Sequence, residues 1–539
     1  MEQPQTGPSL CLDALSIFFI QADGARGWYT STLQLQLASL ELCVLCRSAS
    51  MLHLIIKDGV PAWMWERAPA SDLKIYRLRG TRVPLVQPRK LSWMLPVSRF
   101  EQCSTLILAN VEHLVITTSS APCKLIPWPP SLQRLTLGNL FDAAVEGMEW
   151  PASLKQLTFG HFFSHSIHGV AWPPLLEQLT FGTWFNKPIQ GIAWPASLQQ
   201  LTFGHDFNQE IDAVTWPSDL RVLTFDSSFN QPLDDVAWPA SLEQLVFGRA
   251  FDQRIDQVVW PANLIELIFG SNFNQPIDLT SWPASLQRLT FCDSFNKPVD
   301  RVAWPASLQQ LTFGMFFNQA IHGVEFPPSL QKLIFGYHFN QAIDGITWPM
   351  LLQEITFGAH FNQALDRVTW PTSLRRMTLG MSFNRTIHGV VWPASLEQLS
   401  FGDYFNRPID GVAWPTGLQQ LTFGTYFNQP IDEVAWPASL RLLTFGTHFD
   451  QPIFGVAWPV FLRQLTFGGD FNQAVDCVAW PASLQQLTFG YAFNQAIDTV
   501  AWPSSLKQLT FGSDFSRTTR SIDRHGGVAS VAPAAYIRI

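Results

Sequence analysis

Residues Trp194 to Thr215 read WPASLQQLTFGHDFNQEIDAVT. The same string, with substitutions, begins at Trp128, Trp150, Trp172 and onward every 22 residues to Trp502, with Phe326 at the one start that is not Trp. Eighteen copies follow one another without an insertion or deletion. A fixed period of this length marks a solenoid, in which each copy is one coil that buries its apolar face on its neighbours.

Counting from the Trp as position one, the second residue is Pro and the fifth is Leu in all eighteen copies. The eighth is Leu, Ile or Met, the tenth is Phe or Leu, and the fourteenth is always Phe. The eleventh is Gly except at Asp226 and Cys292, and the fifteenth is Asn in thirteen copies. In the reference coil Leu201, Thr202 and Phe203 alternate in the period of a strand, with Leu198 leading in and Gly204 ending it. Pro195 lacks an N–H and biases Trp194 away from the helical region, which leaves little room for helix. The pattern predicts a mainly β fold: a parallel β-solenoid with one short strand on the Leu-Thr-Phe segment and a second extended segment near Ile211 to Val214. The Asn column, with Asn208 as its reference member, is expected to bond the backbone of its own turn and to stack as a ladder. The ladder also accounts for Asn384, which stands in a glycosylation sequon.

Two family resemblances follow from these residues. Leu198-x-x-Leu201-x-Phe203 resembles the core of the leucine-rich repeat. Leu418-Gln-Gln-Leu421-Thr-Phe423-Gly424-Thr-Tyr-Phe427-Asn428-Gln429-Pro430-Ile431 is similar to the FNIP repeat throughout. That resemblance runs from residue 128 to about 516 and implies a leucine-rich-repeat-like scaffold.

The rest of the chain divides around the array. Residues 1–90 are a non-repetitive region. Within it Leu40, Leu42 and Leu45 lead into Cys46-Arg47, and Trp63 and Trp65 follow. This stretch resembles the second half of an F-box, a helical motif that docks on the Skp adaptor of cullin ubiquitin ligases; the resemblance implies adaptor binding by those leucines. A small helical or mixed cap that shields the first coil is the plainer alternative. Residues 91–127 read as a decayed capping repeat, with Val111, Leu114 and Ile116 at coil spacing. Residues 128–516 are the array. Residues 517–539 turn polar and small and read as a loose tail.

Composition narrows the function. Only 14% of the 539 residues are charged, 47% are hydrophobic and the net charge is −8. No Lys/Arg run is present, which argues against nucleic acid and anionic membrane as partners. The N-terminus lacks a basic segment, and no 18-residue apolar run is long enough to span a bilayer. The seven cysteines form neither a disulfide framework nor a metal pattern, and Cys43-Val-Leu-Cys46 reads as buried thiols. The expectation is a reducing compartment, the cytoplasm, with the nucleus also open. There is no phosphate loop, HExxH or serine elbow, so no enzyme, cofactor or metal is expected. His338 with His360 in the next coil is the one hint of a chemical site.

The informative columns are those that vary. Positions twelve and thirteen hold Phe162, Trp184, Asp206, Phe316, Tyr337, His338, His360, Tyr404, Tyr426, His448, Asp470 and Tyr491, of which the aromatic and histidine members are the candidate partner-binding residues. A regular scaffold carrying a variable, aromatic-rich row is the layout of a protein-binding surface. The competing readings are drift at exposed turns on a purely structural spacer, and an ice- or polymer-binding array built on the Thr column, which recurs in fourteen copies.

Overall fold

The structure is a computed structural model that describes residues 72–75, 90–93, 111–116, 128–516 and 536–538. By its internal contacts the chain falls into two units, Met1–Thr117 with Ile126–Leu132, and Thr118–Leu125 with Gln133–Ile539. In the first unit β1 (Asp72–Ile75), β2 (Lys90–Trp93) and β3 (His113–Ile116) pair in parallel, β1 with β2 and β2 with β3. Val111, Leu114 and Ile116 are buried, as their coil spacing leads one to expect. The F-box-like segment around Leu40, Leu42 and Leu45 lies outside the described residues.

The second unit is the solenoid. Its strands run from β4 (Arg134–Leu137) to β21 (Gln508–Thr510), one per coil, each paired in parallel with the next at a register offset of 22 residues, as in Gln200↔Val222 and Leu201↔Leu223. The strand of the reference coil is Gln200–Thr202, one residue earlier than the Leu-Thr-Phe reading. Its centre, Leu201, points inward and the flanking side chains point out. This parallel β-solenoid carries the expected core. Leu198, Leu201, Phe203, Phe207 and Ile211 are each no more than 1% exposed, and their columns are buried along the array.

The second extended segment does not form. Residues 212–213 make a turn, with the Val214 N–H donating to the Ile211 carbonyl at 3.4 Å. The spacing of the two apolar residues explains this: three apart matches the i→i+3 closure of a turn rather than the two-residue period of a strand. Each coil closes on three such turns. In the reference coil the other two join Leu198 N–H to Pro195 O at 3.1 Å and Phe207 N–H to Gly204 O at 3.2 Å.

Polar columns lock successive coils. The Asn208 amide N–H donates to Oδ1 of Asn186 at 3.0 Å, and Oδ1 of Asn208 accepts the N–H of Asn230 at 2.9 Å and Nε2 of Gln231 at 2.9 Å. The fifteenth-position side chain therefore serves the next coil, not its own turn. A side chain that bonded its own turn would leave the next coil's N–H orphaned in a half-buried position. Where Asp252 replaces Asn, its Oδ1 does the same work, accepting Asn274 N–H at 2.8 Å and Gln275 Nε2 at 2.9 Å. Serines at position four form a second ladder, as in Ser241 Oγ to Leu220 O at 2.7 Å and Ser439 Oγ to Leu418 O at 2.7 Å. Stacking is closest at position eleven, where a Cβ on Gly336 would overlap the carbonyl oxygen of Gly314. Glycine, which fills this position in all but the coils of Asp226 and Cys292, lets the coils approach that closely.

Aromatic columns fill the remaining core. Phe203 and Phe207 stack within a coil at 4.0 Å between ring centroids, and each stacks on its counterpart in the next coil, Phe203 on Phe225 at 5.5 Å and Phe207 on Phe229 at 6.2 Å. The Trp column stacks likewise, Trp216 on Trp238 at 6.2 Å. In this column the buried indole N–H groups of Trp260 and Trp458, among others, have no hydrogen-bond partner. Those rings are packed edge-to-face with Phe269 and Phe467 instead. Within the segment read as a loose tail, β22 (Tyr536–Arg538) pairs antiparallel with β21 and covers its free edge.

Candidate functional site

The outer face of the strands and the turn beyond them carry the variable residues. At the entry to each strand one carbonyl serves two donors: Glu177 O accepts Gln199 N–H at 2.8 Å and Gln200 N–H at 3.0 Å. This bulge-like sharing turns both the sixth and seventh side chains outward. At the far end, the thirteenth N–H donates to the twelfth carbonyl of the preceding coil, as in Tyr426 to Asp403 at 2.8 Å and His448 to Thr425 at 2.9 Å. The backbone beneath the aromatic row is thus held in register, and its side chains project from a fixed ledge.

The row breaks into three clusters. In the first, Phe162 packs on Trp184 with ring centroids 4.5 Å apart, and His161 leans on both. In the second, Phe316 stacks on His338 at 5.1 Å, Tyr337 contacts His338 and His360, and the two imidazoles meet with Nδ1 to Nδ1 at 3.2 Å. In the third, Tyr404 and Tyr426 lie 5.1 Å apart with planes 4° from parallel, and His448 continues the line at 5.0 Å, its ring tilted by 33°. His448 Nδ1 then donates to Asp470 Oδ2 at 2.6 Å, and the Tyr491 hydroxyl donates to Asp470 Oδ1 at 3.1 Å. Tyr491 therefore joins the third cluster through Asp470, a carboxylate member of the row.

Exposure agrees with an outward row. Trp184, Phe316, Tyr337, Tyr404, Tyr426 and Tyr491 are exposed, as is His360, while Phe162, His338 and His448 are half-buried. The hydrogen bond from His448, with that from Tyr491, holds the Asp470 carboxyl below the usual carboxylate range despite some burial. The bond to Asp470 and its negative charge raise the Tyr491 hydroxyl above its ordinary value. The cluster is a fixed network of donors and ring faces.

The other sequence-level features are placed as follows. The Thr column is mostly half-buried on the strand face, next to the longer side chains of position seven. His168, His322 and His388 are exposed. Among the described residues no group of three or more His, Cys, Asp or Glu is arranged to hold a metal ion. No helix among them is long and apolar enough to cross a membrane.

Comparison with known proteins bears on this geometry. The profile of the FNIP repeat matches residues 207–250, 229–272, 251–293, 273–316, 317–360, 383–426, 405–448 and 479–514. The crystal structure of CroV588, described as a novel circular LRR protein, is 34% identical over 82% of this chain and 68% of its own, with a TM-score of 0.74.

The chain belongs to the FNIP-repeat family.

Its FNIP repeats form a solenoid of the leucine-rich-repeat type. An internalin from Listeria monocytogenes is 16% identical over 56% of this chain and 83% of its own, with a TM-score of 0.37. The TLR13–ssRNA13 complex is 15% identical over 83% and 71%, with a TM-score of 0.49. Both are too distant to add to the argument. No curated protein sequence matches the chain.

Proposed function

We propose that this FNIP-repeat chain is a scaffold for protein–protein interaction, and that its recognition row is the outward ledge at positions twelve and thirteen. The observation that carries the reading is the third cluster. Tyr404, Tyr426 and His448 present adjacent rings in successive coils, and Asp470 and Tyr491 extend them as one hydrogen-bonded line. Tyrosine and histidine offer broad apolar faces with polar tips, and the solenoid has already ordered them, so a partner meets little further entropic cost. An extended peptide or a helix laid along the array would cover several rings at once.

The test is the double substitution Tyr404→Ala with Tyr426→Ala. Partner capture is expected to weaken by at least about 2 kcal/mol, roughly thirtyfold in Kd, with the thermal midpoint nearly unchanged because both rings are exposed. Retrieval of the same partners at the same yield by the double variant would remove the row from the reading and leave the repeats as a spacer. Coupling to a ubiquitin ligase rests on the F-box resemblance of Leu40 to Arg47 alone. Deleting residues 1–90 and blotting captured material for the Skp adaptor tests it separately, and the same blot with the full chain gives the reference.

A further inference from the structure

The strand face of the solenoid carries ten basic residues at the sixth or seventh position, and five of them each meet a glutamate one coil away. The pairs are Lys155–Glu177 at 2.8 Å, Arg221–Glu243 at 2.9 Å, Arg288–Glu266 at 3.1 Å, Lys332–Glu354 at 2.8 Å and Arg375–Glu397 at 2.6 Å. Arg134, Arg376, Arg441, Arg463 and Lys507 make no ion pair among the described residues, and of these Arg441 and Arg463 alone stand in successive coils. Both occupy the sixth position, where the Arg463 N–H donates to the Arg441 carbonyl at 2.8 Å. Their backbones are thus one strand spacing apart, about 4.8 Å. Both side chains are exposed, and no ion pair is made by either among the described residues.

The coils on either side supply amides rather than acids. Gln419 precedes the two arginines and Gln485 follows them at the same position. Gln464 Nε2 donates to Gln486 Oε1 at 2.7 Å, which occupies that carbonyl and leaves the Gln486 amide nitrogen as a further donor. These residues line an open groove of about 280 Å³. Like charges one strand apart repel. A site that holds two of them together, ringed by donors and without a carboxylate, is complementary to negative charge.

We propose that this groove binds an acidic segment of a partner polypeptide through carboxylates seated on Arg441 and Arg463. Two features favour a polypeptide over a single small anion. The donors form a track over four coils, from Gln419 to Gln485, roughly 14 Å at one strand spacing per step. That is the length of about four extended residues and far exceeds one oxyanion. The groove is also open along its length, with its donors on flexible side chains, whereas a phosphate cradle is built of converging backbone N–H groups. The track shares its coils with the third aromatic cluster: Arg441 is in the coil of His448, and Arg463 is in the coil of Asp470. A partner lying on the aromatic ledge is within reach of the arginines, so the proposal rests on the interaction-scaffold reading and names the chemistry of its partner.

The experiment uses the full chain and does not need the natural partner. A fluorescein-labelled octa-glutamate peptide is titrated by anisotropy at low salt, with octa-lysine as the opposite charge. The net charge of −8 works against the acidic peptide everywhere except at a local basic site. The expected result is saturable binding of octa-glutamate, reduced at least tenfold by Arg441→Gln with Arg463→Gln and unchanged by Arg375→Gln, which removes a cation already paired with Glu397. Equal affinity in wild type and the double variant overturns the proposal, as does equal loss in Arg375→Gln. Inorganic phosphate at low millimolar concentration that displaces the peptide completely assigns the groove to a small anion and also overturns it. Failure of this titration leaves the capture test with Tyr404 and Tyr426 intact, so the two readings fail separately.

Discussion

Replacing Asn318 by Ala removes one acceptor from the middle of the asparagine ladder. Oδ1 of Asn318 receives the Asn340 N–H at 2.9 Å and Nε2 of Gln341 at 3.1 Å. The Gln341 amide keeps its second acceptor, the Asn318 carbonyl at 3.0 Å, so its loss counts for little. The Asn340 N–H has no alternative, and the site is only partly buried. An orphaned donor costs about 1–3 kcal/mol; partial access to water places this one at about 1–2 kcal/mol. Asn318→Asp keeps Oδ1, and Asp252 and Asp450 already make the same bonds elsewhere in the column, so the expected cost is a few tenths of a kcal/mol. A long repeat array does not unfold as two states, so a single unfolding free energy is a poor measure here. Amide hydrogen exchange at Asn340 reads the site directly. The Ala variant is expected to lose about 5- to 30-fold of its protection, the equivalent of 1–2 kcal/mol, while the Asp variant stays near wild type. Unchanged protection in the Ala variant, or equal loss in both, would refute the ladder as a source of stability.

Three further outcomes are expected. Thr280 is 5% exposed, its hydroxyl has no partner, and its column neighbours Val258 and Val302 are buried valines, so Thr280→Val should stabilise by about 1 kcal/mol, seen as a higher denaturant midpoint. Gly336→Ala should destabilise by at least about 2 kcal/mol, because the new methyl overlaps the Gly314 carbonyl; an unchanged thermal midpoint would show that the coils take up a side chain at this position without cost. The acidic limb concerns Asp470: its folded value is depressed below 3.8, so its contribution is complete above that pH and is lost as pH falls through the folded value. The alkaline limb concerns Tyr491: its folded value is raised above 10.0, so its contribution is present below that pH and is lost as pH rises through the folded value. Absorbance at about 295 nm should show Tyr491 titrating nearer its ordinary value in Asp470→Asn; no movement would remove the hydrogen bond from the account.

What the sequence made legible was the arithmetic of the coil. Leu198, Leu201, Phe203, Phe207 and Ile211 recur at fixed intervals, and a buried column needs nothing more to be recognised. Ile211 and Val214 were misread because two apolar residues three apart suit a turn as well as an irregular strand, and hydrogen-bond closure decides between them. The asparagine column was visible, but the reach of a side chain forward to the next coil is a matter of geometry, not of composition. The serine ladder went unseen for a similar reason: Ser in a turn reads as a local hydrogen-bonding residue, whereas here its hydroxyl donates across coils to the fifth-position carbonyl. Of the aromatic row, membership was readable and grouping was not. Whether Tyr426 meets His448 or turns away depends on rotamers, and the linking residue, Asp470, is not aromatic at all. The arginine pair could have been found by asking which sixth-position cations lack a glutamate 22 residues away and stand in successive coils; Lys507 also lacks one but stands alone.

The ladders have a consequence for how such a gene can change. The ties of the asparagine and serine ladders reach to residues 21, 22 or 23 positions distant, and the same tie recurs at the next junction. Loss of one codon inside a coil displaces all of that coil's ties at once. Loss or duplication of a whole coil leaves each new junction chemically like the old. Misaligned recombination between similar repeats produces whole-coil changes of that kind, so the array can lengthen or shorten in units of 22 residues, and none of the eighteen copies departs from that length. Binding residues on the ledge are then shuffled as a set, each coil carrying its own side chains to a new place in the row.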